Sequence, residues 1–147
     1  MNELPTTYRG TVYPWHCDHM NHMNVMWYVG KFDEATWNLL ALIGLTPSKL
    51  RGQKQGIVAV QQNTSYKREL CAGDIVTIRS GILEIRERVV RFFHEMSNEE
   101  TGEIAAITVL TGVHIDFRTR KASPFEPEIL ERGRNMVVAY PHERLDQ

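Results

Sequence analysis

The sequence predicts an α+β fold in which one antiparallel sheet curls around a single long helix. An apolar pattern with spacings of three and four runs from Val25 to Ile43, and the period drops to two from Gly56 onward. The strand-like runs after that point are joined by connections too short to carry crossover helices, which makes them antiparallel neighbours.

Residues 8–13 have the composition of a short strand, ended by Pro14, which cannot donate to a ladder. Val25, Val29, Phe32, Thr36, Leu39, Leu40 and Ile43 mark one face of the helix, closed by Gly44 and Pro47. Trp27, Tyr28, Trp37, Ala41 and Leu42 add apolar surface around it, leaving Lys31, Asp33, Glu34 and Asn38 for the wet face. In residues 56–66, Val58, Val60 and Tyr66 fall on one side and Ile57 and Ala59 on the other. Residues 74–87 change phase around Gly81, where Val76, Ile78 and Ile82 give way to Leu83 and Ile85, and this predicts a bulge. A strand over 89–97 and a turn over 98–102 follow. Residues 104–117 set Ala105, Ile107, Val109, Val113, Ile115 and Phe117 opposite Thr108, His114 and Asp116, and Pro124 and Pro127 bracket a short helix over 128–134. Five strands around one helix leave unpaired edges, so a homodimer or homotetramer is expected.

The chain has 147 residues, 42% hydrophobic and 24% charged, which fits one domain over residues 1–147 with a sizeable core. Seventeen basic and eighteen acidic residues give a net charge of −1, too little field to hold nucleic acid or an anionic membrane. Cys17 and Cys71 have no paired spacing, so neither a disulfide framework nor a zinc ribbon is suggested. Residues 1–7 lack an apolar leader region and no run is long enough to span a bilayer, which makes a cytoplasmic protein the expectation.

Chemistry concentrates in Trp15-His16-Cys17-Asp18-His19-Met20-Asn21-His22-Met23-Asn24, immediately before the helix. A carboxylate beside unpaired helix N–H groups can activate water or attack a carbonyl while the N–H groups stabilise the oxyanion. On bland grounds Asp18 only satisfies a loop, and Asn24 is an N-cap. His16, His19 and His22 are metal-ligand types beside Cys17 and Asp18, but their three-residue spacing in a loop does not converge the rings, and no metal is expected. Cys17 as a nucleophile is disfavoured because catalytic Cys and His partners are normally distant in sequence. Trp15, Trp27, Tyr28 and Trp37 read mainly as core, with an acyl pocket or a cage for a cationic group as the minority reading.

At Asp18-His19-Met20-Asn21-His22-Met23-Asn24, followed by Trp27-Tyr28 and Phe32-Asp33-Glu34-Ala35, the chain resembles the hotdog-fold acyl-CoA thioesterases of the 4-hydroxybenzoyl-CoA thioesterase type. That family shows an Asp, two intervening residues, Gly-His-Val-Asn, a Tyr further on and an acid-rich turn of the central helix. Asp18, His22 and Asn24 match, Tyr28 fits the aromatic position, and Arg68, Gly73 and Asp74 resemble the run into the next strand pair. Asn21 stands in place of Gly, which Asn tolerates because it enters the left-handed region at low cost. Val25 stands where some members carry His or Tyr, leaving only a backbone N–H there.

The resemblance implies a hotdog domain that hydrolyses an acyl-CoA or related acyl thioester without a cofactor. Asp18 would be general base or nucleophile, with the oxyanion near the N–H groups of Asn24 and Val25. It further implies a substrate contact from Tyr28, polar groups at Asn63, Thr64 and Ser65 from a second subunit, and coenzyme A phosphate contacts from Arg118, Arg120 and Lys121, while His22 reads first as orienting the loop and second as a substrate contact. A supporting role for Asp33 and Glu34 at a partner's site is open. The competing reading is a non-catalytic acyl-thioester or small-ligand binding module on the same scaffold. A hotdog dehydratase is a third, but its Asp–His pairing is not evident downstream.

Overall fold

The computed structural model describes residues 3–141; residues 1–2, at the start of the segment read for a leader, and residues 142–147 lie outside it. β1 (Thr6–Thr11) begins and ends two residues before the predicted strand, and Pro14 opens a 3-10 turn, Pro14–His16, rather than merely closing the strand. α1 (Val25–Leu42) starts where Asn24 Oδ1 accepts the Met26 N–H at 2.9 Å, and it stops before Gly44, which adopts φ +97°. α2 (Pro47–Gln53) was not predicted. It has Thr46 as N-cap and Pro47 at its first position, but seven residues are too few to display a period.

The remaining elements are β2 (Gln55–Tyr66), β3 (Ile75–Ile85), β4 (Val89–Asn98), β5 (Ile104–Asp116), the two-residue β6 (Lys121–Ala122) and α3 (Pro127–Asn135). All pairings are antiparallel in the order β1-β3-β4-β5-β2, with β6 added on β5. This is the α+β hotdog arrangement, five long strands wrapped around one helix. α1 rests mainly on β1, β3 and β4, and α2 packs on β2.

The buried stripe of α1 is Tyr28, Lys31, Phe32, Ala35, Thr36, Leu39 and Leu40. Val25 and Val29 are exposed, so the stripe is rotated from the predicted one. Lys31 is buried rather than wet, because its ammonium reaches the Tyr8 hydroxyl at 2.7 Å. Leu39 and Leu40 pack with Ile82, Phe92 and Ile129, while Tyr28 and Phe32 pack with Ile78 and Met96.

Register shifts in β2 and β3 reset the strand faces. The β3–β4 register slips between Ile82 and Glu84, two residues later than predicted from Gly81. The β2–β5 register slips between Ala59 and Gln61, so Tyr66 no longer shares the side of Val58. In β5 the face toward α1 carries Thr108 and His114, not the apolar row. Thr108 lies opposite His94, which bonds Thr36 of α1, and His114 is held by Ser123 O at 2.8 Å and Gln55 Oε1 at 3.1 Å. On the outer face Tyr140 covers Phe93, ring centroids 4.0 Å apart.

Candidate active site

The loop before α1 is closed by backbone hydrogen bonds from the Asp18 N–H to His22 O (3.1 Å) and from the Asn21 N–H to Asp18 O (3.0 Å). Asn21 takes φ +67°, the left-handed conformation expected of it. The Met23 N–H donates to Leu70 O at 2.7 Å, pinning the loop to the segment that follows β2.

Asp18 is half-buried at the first turn of α1. Its Oδ1 accepts the Met20 N–H at 2.8 Å and its Oδ2 accepts the Asn24 side-chain amide at 2.9 Å. The Asn24 amide first, and the Met20 N–H second, hold the carboxyl below the ordinary aspartate range, so it is ionised at neutral pH. Asn24 also uses its own N–H on His16 O at 2.9 Å. That corrects the expectation of two backbone donors: the Val25 N–H, at the first helical position, is the one with no acceptor within the helix.

Beside this turn opens a cleft of about 300 Å³ between His22, Met23, Val25 and Tyr28 on one wall and Tyr66, Lys67, Arg68 and Glu69 on the other. Tyr28 donates its hydroxyl to Arg68 O at 3.2 Å and meets the Tyr66 ring edge-on at 5.1 Å. Burial pushes the Tyr28 hydroxyl up to about 12 and raises that of Tyr66, so both rings are neutral. His22 pairs with Glu69 at 3.0 Å across the cleft rather than with Asp18. Tyr66, Lys67 and Glu69 were not identified from the sequence. Tyr66 ends β2 and Lys67 and Glu69 follow it, and only the fold brings them to the helix start.

The other expected contacts lie elsewhere within the chain. Thr64 faces α1 and bonds Thr108 Oγ1 at 2.8 Å, whereas Asn63 and Ser65 alternate to the outer face, so three consecutive strand residues cannot line one pocket. Arg118, Arg120 and Lys121 sit at the opposite end of β2, near Gln55, about 36 Å along the strand from Tyr66 at the usual rise per residue. Arg118 instead borders a cavity of about 1060 Å³ whose walls include Trp37, Leu50, Ile57 and Phe117.

No three His, Cys, Asp or Glu side chains among the described residues are grouped to hold a metal ion. His16 accepts the Tyr13 N–H at 3.0 Å and packs on Trp27, while Trp15 stacks flat on Tyr13 at 4.6 Å. With Trp37 at the distant cavity, the four aromatic residues are not gathered into one cage. Cys17 Sγ approaches Tyr13 O, and Asp33 and Glu34 are exposed on α1. No described helix is long and apolar enough to cross a membrane.

A family model described as thioesterase-like superfamily matches residues 12–133. Betainyl-CoA thioesterase of Pseudomonas aeruginosa is 24% identical over 140 residues, covering 95% of this chain and 88% of that protein. The long-chain acyl-CoA thioesterase FadM of Escherichia coli is 28% identical over 127 residues, covering 84% and 92%. A hypothetical protein of Staphylococcus aureus solved in complex with CoA superposes with a TM-score of 0.87 at 20% identity, covering 100% of this chain and 96% of the other.

Proposed function

The chain belongs to the thioesterase-like superfamily, and from that membership we propose that residues 1–147 act as one hotdog domain hydrolysing acyl-CoA thioesters to free acid and coenzyme A thiol. The observation that carries this reading is the bond between Asp18 and Asn24, which fixes an ionised carboxylate at the start of α1 beside the unpaired Val25 N–H. The thioester oxygen lies against that N–H, where the helix dipole favours the charge of the tetrahedral intermediate. Such a donor is typically worth about 2.7–4 kcal/mol in the transition state. Asp18 either removes a proton from the attacking water or attacks the carbonyl itself to give a mixed anhydride that water then opens. The thiolate leaves in both routes, and in oxygen-18 water a single turnover puts label into the Asp18 carboxyl when an anhydride forms and water opens it at the Asp18 carbon, a label that the general-base route never gives.

The working unit is a dimer or a tetramer built from dimers. β2 is a twelve-residue edge strand whose Val58 and Val60 are 41% and 60% exposed, a long unblocked edge suited to pairing with a second copy. Through that pairing a second subunit brings its Arg118, Arg120 and Lys121 toward the helix start, the cations serving the coenzyme A phosphates, whereas its Thr64 stays at the other end of the strand.

The test is thiol release from a panel of acyl-CoAs by wild type and Asp18→Asn. Loss of at least roughly a hundredfold in kcat is expected for removal of a general base or nucleophile. Unchanged turnover rejects the role of Asp18. Tight acyl-CoA binding without any thiol release by wild type identifies a binding module instead.

A further inference from the structure

We propose that the stacked pair Tyr13 and Trp15, beside the Asp18 turn, is the seat of the adenine ring of coenzyme A, so that the chain grips the far end of its thioester as well as the reacting end. This rests on the thioesterase reading above and adds where the nucleotide is held.

Tyr13 and Trp15 lie face to face, with ring centroids 4.6 Å apart and planes 4° from parallel. They are 47% and 66% exposed, which corrects the reading of Trp15 as core. Large apolar rings kept together in water mark a surface that something covers. The pair is also stiff. His16 stands edge-on to both rings, at 5.8 and 5.9 Å, and packs on Trp27 of α1 at 4.3 Å. It is buried, and its Nδ1 accepts the Tyr13 N–H at 3.0 Å. Burial first, and Lys31 second, lower its pKa, so at neutral pH that nitrogen keeps its lone pair for the bond. A ring arriving here finds its platform already ordered, which removes one of the usual costs of binding.

Shape selects the occupant. Neither ring lines the cleft beside Asp18 or the cavity at Trp37, so the stack offers a flat π-face and not a hole for a chain. Such a face suits a planar heterocycle, whatever its sequence of donors and acceptors. Adenine is the one planar heterocycle that an acyl-CoA carries.

Position agrees with shape. His16 O, next to Trp15, accepts the Asn24 N–H at 2.9 Å, and Asn24 donates its side-chain amide to Asp18 Oδ2. The residue that fixes the acid therefore also ties down the platform. Met20, whose N–H binds Asp18, and Met26, whose N–H binds Asn24, are exposed too, so exposed apolar side chains follow the chain from the stack to the first turn of α1. In the assembly proposed above, a second subunit's Arg118, Arg120 and Lys121 meet the phosphates, and the base beyond them is met by the chain that holds the thioester.

The experiment compares two thioesters of the same acid, one of coenzyme A and one of pantetheine, which has the thiol arm but no nucleotide. Trp15→Leu keeps apolar bulk without a π-face, and at an exposed position it leaves the core undisturbed. It should lose about tenfold in kcat/KM on the CoA ester, chiefly through KM, and stay within about twofold of wild type on the pantetheine ester. Trp15→Phe, which restores an aromatic face, should recover most of that loss. Binding is read without turnover. Adenosine 3′,5′-bisphosphate should quench the tryptophan fluorescence of wild type and of Asp18→Asn, and the quenching should vanish in Trp15→Leu, where Trp27 and Trp37 still report the fold. Unchanged kcat/KM on the CoA ester, or quenching that survives in Trp15→Leu, overturns the adenine seat. An equal loss on both esters makes the stack a support of the Asp18 turn and overturns it as well, and a sedimentation shift in Trp15→Leu gives the surface to a second copy instead. Those failures leave Asp18-dependent thiol release intact, whereas full activity of Asp18→Asn removes the thioesterase reading and leaves the quenching to decide the nucleotide site.

Discussion

Asn24 donates its side-chain amide to Asp18 Oδ2 at 2.9 Å while its side-chain oxygen accepts the Met26 N–H at 2.9 Å. One residue therefore couples the acid to the helix. The carboxylate cannot drift from the first turn of α1 without breaking either this amide bond or the Met20 contact on its other oxygen.

Substitution at Asn24 separates the two bonds. Asn24→Ala removes both, so it should lower stability by about 1 kcal/mol through the lost cap. It should also raise the acid limb of the kcat/KM profile, because the group chiefly responsible for holding the Asp18 pKa down is gone. Asn24→Asp keeps an oxygen for the Met26 N–H but sets a second carboxylate beside Asp18. It should retain most of the stability and still shift the acid limb upward. Urea melts and pH profiles of the two variants check this, and an acid limb fixed in both would detach that limb from Asp18.

What was legible in the sequence was local. The left-handed Asn21, the cap at Asn24 and the end of α1 at Gly44 depend on a few neighbouring residues, and the pattern carries them directly. What was not legible depends on partners far along the chain. Lys31 reads as a wet lysine until Tyr8 supplies a hydroxyl at 2.7 Å from β1. Asn63, Thr64 and Ser65 look equivalent until the Val60 bulge fixes which of them faces inward. The inner face of β5 was assigned by hydrophobicity, yet Thr108 and His114 occupy it because their polar atoms are satisfied from β2 and the segment after β6. Tyr66 reaches the helix start only through the whole length of the sheet.

The buried chain Thr7, Ser80, His94 and Thr36 predicts an acid-labile core. His94 is fully buried, with Ser80 Oγ at 2.5 Å and Thr36 Oγ1 at 2.8 Å on its two ring nitrogens, and Thr7 continues the chain from Ser80 at 2.7 Å. Burial lowers its pKa from 6.5 to about 3, and His16 is lowered in the same direction by burial and by Lys31. A base whose folded pKa lies below its unfolded value binds fewer protons in the native state. Stability therefore falls as pH drops below about 6.5, by about 1.4 kcal/mol per unit from His94 alone until its folded pKa is reached. Urea melts at pH 7 and 4.5 should show this loss, and His94→Gln, which retains polar atoms for Ser80 and Thr36, should reduce the difference. An equal pH dependence in wild type and variant would assign the acid loss to other groups.

The free edge of β2 gives the last prediction. β1 is six residues long and flanked by α1, whereas β2 runs twelve residues with residues 58–63 all exposed and no strand among the described residues paired on its outer edge. If two copies join there, like charges near the midpoint will face each other across the two-fold axis. Ala59→Lys with Val60→Lys should then raise the dimer Kd by roughly tenfold or more. The fold should survive, because both positions are exposed and Val60 is the bulged residue outside the β5 ladder. Thiol release should fall in step with the monomer fraction in sedimentation and should return at high protein concentration, because a monomer has Asp18, its helix start and the small cleft beside them but lacks the second subunit's cations. Full activity in a monomeric Ala59→Lys, Val60→Lys protein would mean that each chain completes its own site and that the exposed edge serves something other than catalysis.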